Sequence, residues 1–304
     1  MPDPGVNNTS FFMGDDAPDT APNLFASRRS RLLVGKRGVV ASTLSTLVVV
    51  ALIVALLFVP KGGATFRYTF FDPHNLWLAW VGDPRLGLDA IRDGLVTNIE
   101  MFLISEVIVL ILGVLIAWCR ISQSPVLFPF RAMATAYTDI ARGVPLLLVI
   151  LIVGFGLPQL DFGYVSSRPP IVYGIFALVF CYTAYVSEVI RAGIFAIPNG
   201  QHQAARALGL SHASMMRHVI LPQAIRNVIP PLLNDFISLQ KDTALVSILG
   251  VIDVTRAAQI FSSTEFNESG LTLAAIFFLI LTIPMTRFTD RLIARDRARR
   301  LATT

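Results

Sequence analysis

Apolar residues along this chain gather in long runs with short polar stretches between them. The runs cover about 39–59, 95–118, 144–157, 171–192, 221–240 and 271–288. A run of about 18 or more apolar residues is long enough to cross a bilayer as a helix. Inside lipid each backbone N–H and C=O has to be paired within its own segment, so such runs are predicted helical. The pattern therefore predicts an all-α polytopic membrane protein with six transmembrane helices. An amphipathic stretch over 131–142 leads into the third run. Residues 243–261 are apolar first and mixed afterwards, which predicts a re-entrant or interfacial helix.

The polar stretches divide the chain. Residues 1–37 combine Pro2, Pro4, Pro18, Pro22, Asp15, Asp16 and Asp19 with a basic cluster, Arg28 to Arg37, and predict a disordered basic cytoplasmic tail. A signal peptide shares the basic-then-apolar order. Its apolar region is shorter, and no small-x-small cleavage site follows at 60–63, so 38–60 is predicted to be a retained N-terminal transmembrane anchor. Residues 61–93 are predicted as an external loop, with Trp77 and Trp80 suited to the bilayer interface. Residues 94–290 hold the main transmembrane domain, and 291–304 form a basic cytoplasmic tail.

Composition agrees: 54% of residues are hydrophobic, against about 45–50% in a soluble domain. The net charge of +5 places basic residues beside membrane helices and does not call for nucleic acid. Lysine and arginine concentrate in the N-terminal tail, in 120–142, in 191–226 and at the C-terminus. The opposite loops hold only Lys61, Arg67, Arg85, Arg92, Arg168, Lys241 and Arg256. Basic loops stay inside, so both termini and the segment 197–218 are predicted cytoplasmic. Cys119 and Cys181 support neither a disulfide framework nor a metal site.

The segment 200–222 is the most informative. Gly200 to Leu208 predicts a short helix, Gly209 can take positive φ and end it, and Ser211 can cap the next helix. Pro222 falls near the start of a span, where its missing N–H matters least. A short helix bracketed by turns and tied to two membrane helices can transmit a push from a soluble partner; an ordinary amphipathic loop helix is the plainer reading. The stretch resembles the coupling signature of binding-protein-dependent ABC importer permeases through Ala204, Ala205, Gly209, Leu221 and Pro222. Gln203 stands where that family usually has Glu, which removes a charge but keeps hydrogen-bonding capacity. Further segments resemble the polar amino-acid branch in order: Arg142-Gly-Val-Pro-Leu-Leu147, Tyr185 to Gly193, Ile197-Pro-Asn-Gly-Gln201, Pro230 to Asn234 and Lys241-Asp-Thr-Ala-Leu-Val246.

The resemblance spans about 94–290 and implies a type I, MetI-like importer domain, with the first helix as an extra. It implies a permease subunit in the bacterial cytoplasmic membrane that imports polar amino acids. Its partners would be a dimer of ATP-binding subunits docked on Gln203, Ala204, Ala205 and Gly209, a second permease subunit (itself or a homologue), and an external solute-binding protein. The chain has no Gly-x4-Gly-Lys-[Ser/Thr] loop, so it is expected to be no enzyme and to hold no cofactor; ATP–Mg would sit on the partner.

Ionisable residues within spans point to function. Glu106 either faces a polar seam or meets a substrate ammonium or side chain. Glu188 and Arg191 share a helix face and can pair. Asn234 and Asp235 are placed to face the pathway. Lys241 and Asp242 meet the binding protein, gate the path or form a solvated helix end. His202, His212 and His218 read as surface residues, with no metal site. Gly154, Gly156, Gly174 and Gly193 are predicted to allow close helix approach, and Gly250 a bend. The alternatives are an ABC permease for another small solute and an ion-coupled secondary transporter, which would not explain the coupling segment.

Overall fold

The computed structural model describes residues 36–58, 61–122, 124–160 and 163–301, so residues 1–35 of the tail expected over 1–37 and the last residues, 302–304, lie outside the described residues, while Lys36 and Arg37 open the first helix. Among the described residues the fold is helical, and its one extended pairing is an isolated bridge between Asp83 and Leu88. The chain divides into two compact units, Met1–Thr65 and Phe66–Thr304. In the first, α1 (Lys36–Phe58) exposes Leu44, Leu47, Leu52 and Ile53. Its apolar stretch Ser42–Ala55 is shorter than the other candidate spans. Ser45 and Thr46 donate to the Ser42 carbonyl at 2.9 and 2.8 Å, a local pairing that suits an apolar surrounding.

Three helices of the second unit are long and apolar enough to cross a membrane: α4 (Ile91–Ile121), α7 (Pro170–Phe195) and Ser269–Arg295 of α12 (Ser269–Leu301). Two bent pairs supply up to two more crossings. In one, Pro125–Gly143 meets Leu146–Gln159 at 105°; in the other, His212–Leu249 meets Val254–Glu265 at 50°. The first pair contains α5 (Phe128–Gly143) and α6 (Leu146–Leu151), and the second contains α10 (Leu221–Asp242) and α11 (Val254–Glu265). The expected straight span over 144–157 is thus corrected. After α6 the chain passes through a π turn, Ile152–Gly156, and a 3-10 turn, Leu157–Gln159. Pro145, Gly154, Gly156 and Pro158 explain the interruption, because proline removes a helix donor and glycine loosens the turn.

The stretch 61–93 is also more ordered than an open loop. It holds α2 (Lys61–Phe71) and α3 (Pro73–Val81). Asp72 accepts the Asn75 N–H at 3.0 Å, and Pro73 occupies the first helical turn, so α3 starts on a capping signal written in the sequence. Ala79 of α3 joins Ile91, Val254, Ala258, Phe261 and Ala274 in a core shared by α4, α11 and α12.

α7 is the central helix: 61% of its apolar window is buried, against 28% for α4 and 17% for the span in α12. The outer faces of α4 and α12 are therefore left exposed and apolar. The main core joins Met101 and Val109 of α4, Ala177, Leu178 and Val186 of α7, and Leu239 and Val246. Phe102 and Phe236 meet edge to face at 4.6 Å between centroids. In lipid the gain is close packing more than release from water, so small residues matter. Side chains of Leu249, Val246 and Val228 fill the space a Cβ would need at Gly154, Gly174 and Gly193. Gly156 meets nothing within 4 Å and has no such role.

Candidate coupling and transport sites

The polar segment after α7 forms α8 (Asn199–Ala207) and α9 (His212–Met215). α8 ends where the sequence expects. Gly209 has φ +74°, its N–H donates to Arg206 O at 2.9 Å, and Leu210 N–H donates to Ala205 O at 3.1 Å. This pair of bonds is a Schellman motif, which glycine accommodates without Cβ strain. Ser211 then caps α9 by accepting the Ser214 N–H at 3.3 Å. A π turn, Met216–Ile220, leads into α10 with Pro222 in its first turn.

This platform has its own small core. Ile197, Ala205, Met215, Ile220 and Ala224 are buried together, and Leu210 and Val219 pack against them. Ala205 faces inward while Gln203, Ala204, Leu208 and Gly209 face outward, as do Leu221 and Pro222. The helix therefore presents a small, largely uncharged face and is anchored through Ala224 to the root of α10. A cleft of about 900 Å³, lined in part by Trp118, Phe195, His202 and Gln203, opens beside it.

Near the same end, Glu188 of α7 joins three arginines. Arg120 of α4 lies at 2.8 Å, Arg191 of α7 at 2.6 Å and Arg142 of α5 at 3.6 Å. The expected Glu188–Arg191 pair is present, and α4 and α5 are tied to it. Both Glu188 oxygens are engaged.

Further along α4, Glu106 is half-buried and within electrostatic reach of Asp235 of α10. One Asp235 oxygen is buried and has no hydrogen-bond partner among the described residues. Asn234 beside it is exposed. Asp242, at the far end of α10, accepts the Tyr182 hydroxyl at 2.7 Å, whereas Lys241 is exposed. Tyr182 is also within electrostatic reach of Asp235. The acidic groups of α4 and α10 and this tyrosine of α7 thus form one polar seam.

Sequence reasoning missed a second polar group. The Asn98 amide donates to Thr243 Oγ1 and Asp253 Oδ2, both at 3.1 Å, and accepts the Val254 N–H at 2.9 Å. Asp253 caps α11 by accepting the Arg256 N–H at 2.8 Å. Thr282 of α12 donates to the Gln240 side chain at 3.2 Å. Two signals were available: an amide just inside an apolar run, and an aspartate just before an amphipathic helix.

Residues 109–297 match the family described as binding-protein-dependent transport system inner membrane component. The arginine transport system permease protein ArtQ of Bacillus subtilis is 39% identical over 197 residues, 64% of this chain and 87% of ArtQ. The putative glutamine transport system permease GlnP of Rickettsia typhi is 38% identical over 196 residues, 64% of this chain and 86% of GlnP. A solved amino-acid ABC transporter with histidines aligns with TM-score 0.62 and 34% identity over 67% of this chain and 93% of that one. The inward-facing MetNI methionine ABC transporter shares the fold at TM-score 0.55 and 18% identity, over 70% of this chain and 98% of that one. The chain belongs to the family of binding-protein-dependent transport system inner membrane components.

Proposed function

We propose that the chain is the membrane-spanning subunit of an ATP-binding-cassette importer of polar amino acids, with positively charged ones favoured. The α8 platform carries this reading. A helix closed by a Schellman turn and packed on the root of α10 moves with α10, so a push on Gln203 and Ala204 reaches the membrane. The partner that pushes is a pair of ATP-binding subunits holding ATP–Mg. A second permease subunit completes the pathway, and an external solute-binding protein supplies it. The distribution of lysine and arginine supports cytoplasmic termini in a bacterial inner membrane.

Relatives named for arginine and glutamine transport, and a solved amino-acid transporter, support the substrate class. The charge preference comes from Glu106 and Asp235. Two neighbouring carboxylates away from bulk water repel each other, and a cation between them relieves the repulsion. Lys241 and Asp242, at the outer end of α10, meet the binding protein or gate the path.

Uptake of a labelled amino-acid panel by cells with and without this gene, with ATP depletion as a control, tests both parts. The expected result is ATP-dependent loss of arginine, lysine or histidine uptake in the deletion, and Glu106→Gln erasing the preference for cations. Undiminished uptake of every amino acid on the panel sinks the amino-acid reading. Unchanged selectivity in Glu106→Gln sinks the role of the acidic pair.

A further inference from the structure

Where α4, α5 and α7 meet near the Glu188 cluster, an open groove of about 550 Å³ is lined by Arg120, Arg131, Arg191, Thr135, Ala136 and Asp139. Its charge does not balance. Arg120, Arg142 and Arg191 share the single carboxylate of Glu188, and Arg131 spends one guanidinium N–H on the Ser122 carbonyl at 2.9 Å. Asp139 is the one acid among the residues lining the groove, and it is exposed. The four arginines thus exceed the two acids. The Arg120 side chain is only 8% exposed, and its Nε has no hydrogen-bond partner among the described residues. A buried donor of a charged group without an acceptor is costly, and an anion in the groove would remove that cost.

The surroundings say which anion. The apolar run of α4 ends at this level with Trp118, which is 62% exposed, as is usual at a membrane interface. Just before and within α5, Val126, Phe128, Phe130 and Met133 are all exposed, so an apolar rim runs beside the arginines. Arg131 lies over the Phe128 ring, 5.5 Å from its centroid. A soluble anion has no use for that rim. A lipid does: its phosphate fits the arginines and its chains fit the rim. Basic pockets between membrane helices suit acidic headgroups.

We propose that this groove binds the headgroup of an anionic phospholipid, which bridges α4, α5 and α7 through Arg120, Arg131 and Arg191. The site is separate from the Glu106–Asp235 seam, and its lipid binding does not depend on which solute the chain transports.

Native mass spectrometry of the purified full-length chain tests the proposal, with phosphatidylglycerol and phosphatidylcholine of matched chains as probes. Phosphatidylglycerol is expected to bind at least about fivefold more tightly, since a single arginine near an anionic headgroup contributes about fivefold. Arg131→Gln should cut phosphatidylglycerol binding about fivefold and leave phosphatidylcholine binding unchanged. Ala136→Glu, at an exposed position, places a carboxylate in the groove and should cut it at least as far; unchanged phosphatidylcholine binding shows that each variant is intact. Equal binding of the two lipids, or wild-type phosphatidylglycerol binding in both variants, overturns the proposal. Displacement of phosphatidylglycerol by an equal concentration of inorganic phosphate also overturns it, because the site would then hold a free anion.

Discussion

The two ends of α4 are held by polar groups built on opposite rules. At its C-terminal end Arg120 shares Glu188 with Arg142 and Arg191 at distances from 2.6 to 3.6 Å. The charges there are unequal, and the Arg142 and Arg191 side chains are 41% and 34% exposed. Near its N-terminal end Asn98, Thr243 and Asp253 are at most 3% exposed, and Asn98 joins the other two by bonds of 3.1 Å. Attraction between charges falls off slowly with distance, so the first group tolerates movement of its helices. Hydrogen bonds weaken steeply with angle and stretch, so the second holds one geometry. The comparison teaches that the end beside α8 is built to shift, while the end that caps α11 is built to stay.

The largest effect is expected where geometry is strict. Asn98→Leu removes the amide from Asp253, Thr243 and the Val254 N–H and leaves buried polar groups unpaired. It should cost about 4 kcal/mol, read as a fall in the thermal midpoint of the purified protein. An unchanged midpoint would break the comparison at its root. Gly94→Ala comes next. Its Cβ would lie 2.5 Å from the carbonyl carbon of Asp253 and 2.6 Å from Val254 N, backbone atoms that have to move. The expected loss is about 2 kcal/mol by the same measurement, and a neutral result would show that the α4–α11 contact is as tolerant as the arginine end. Glu188→Gln should be the mildest, at about 1 kcal/mol, because two of the three arginines remain partly solvated. Its deficit should shrink in high salt, where free arginines are screened, whereas that of Asn98→Leu should not. Equal salt dependence in the two variants would erase the distinction.

Features made by neighbours in sequence were legible. Gly209 and Ser211 act through backbone turns within a few residues, and the structure has the φ and the cap that their chemistry implies. Gly250 likewise turns the chain with φ +83°. The Asp72–Pro73 signal was equally local but was hidden by the aromatic and turn residues around it, so 61–93 read as a loop. The apolar run over 144–157 misled in the other direction: its hydrophobicity was clear, but the effect of Pro145, Gly154, Gly156 and Pro158 on its path was not. Hydrophobicity is a sum over residues, whereas a bend depends on which backbone bonds are lost.

The sequence by itself determined that the chain is helical and made for lipid, where its polar segment with the candidate coupling helix lies, and how that helix starts and stops. Those properties follow from composition, periodicity and interactions between residues a few positions apart. Only the tertiary structure decided that Glu188 serves arginines from three helices, that Asn98 reaches Asp253 across 155 positions, and that α7 lies at the centre. Each of these depends on which helix faces which, and in lipid that choice is made by close packing and by pairing of buried polar groups.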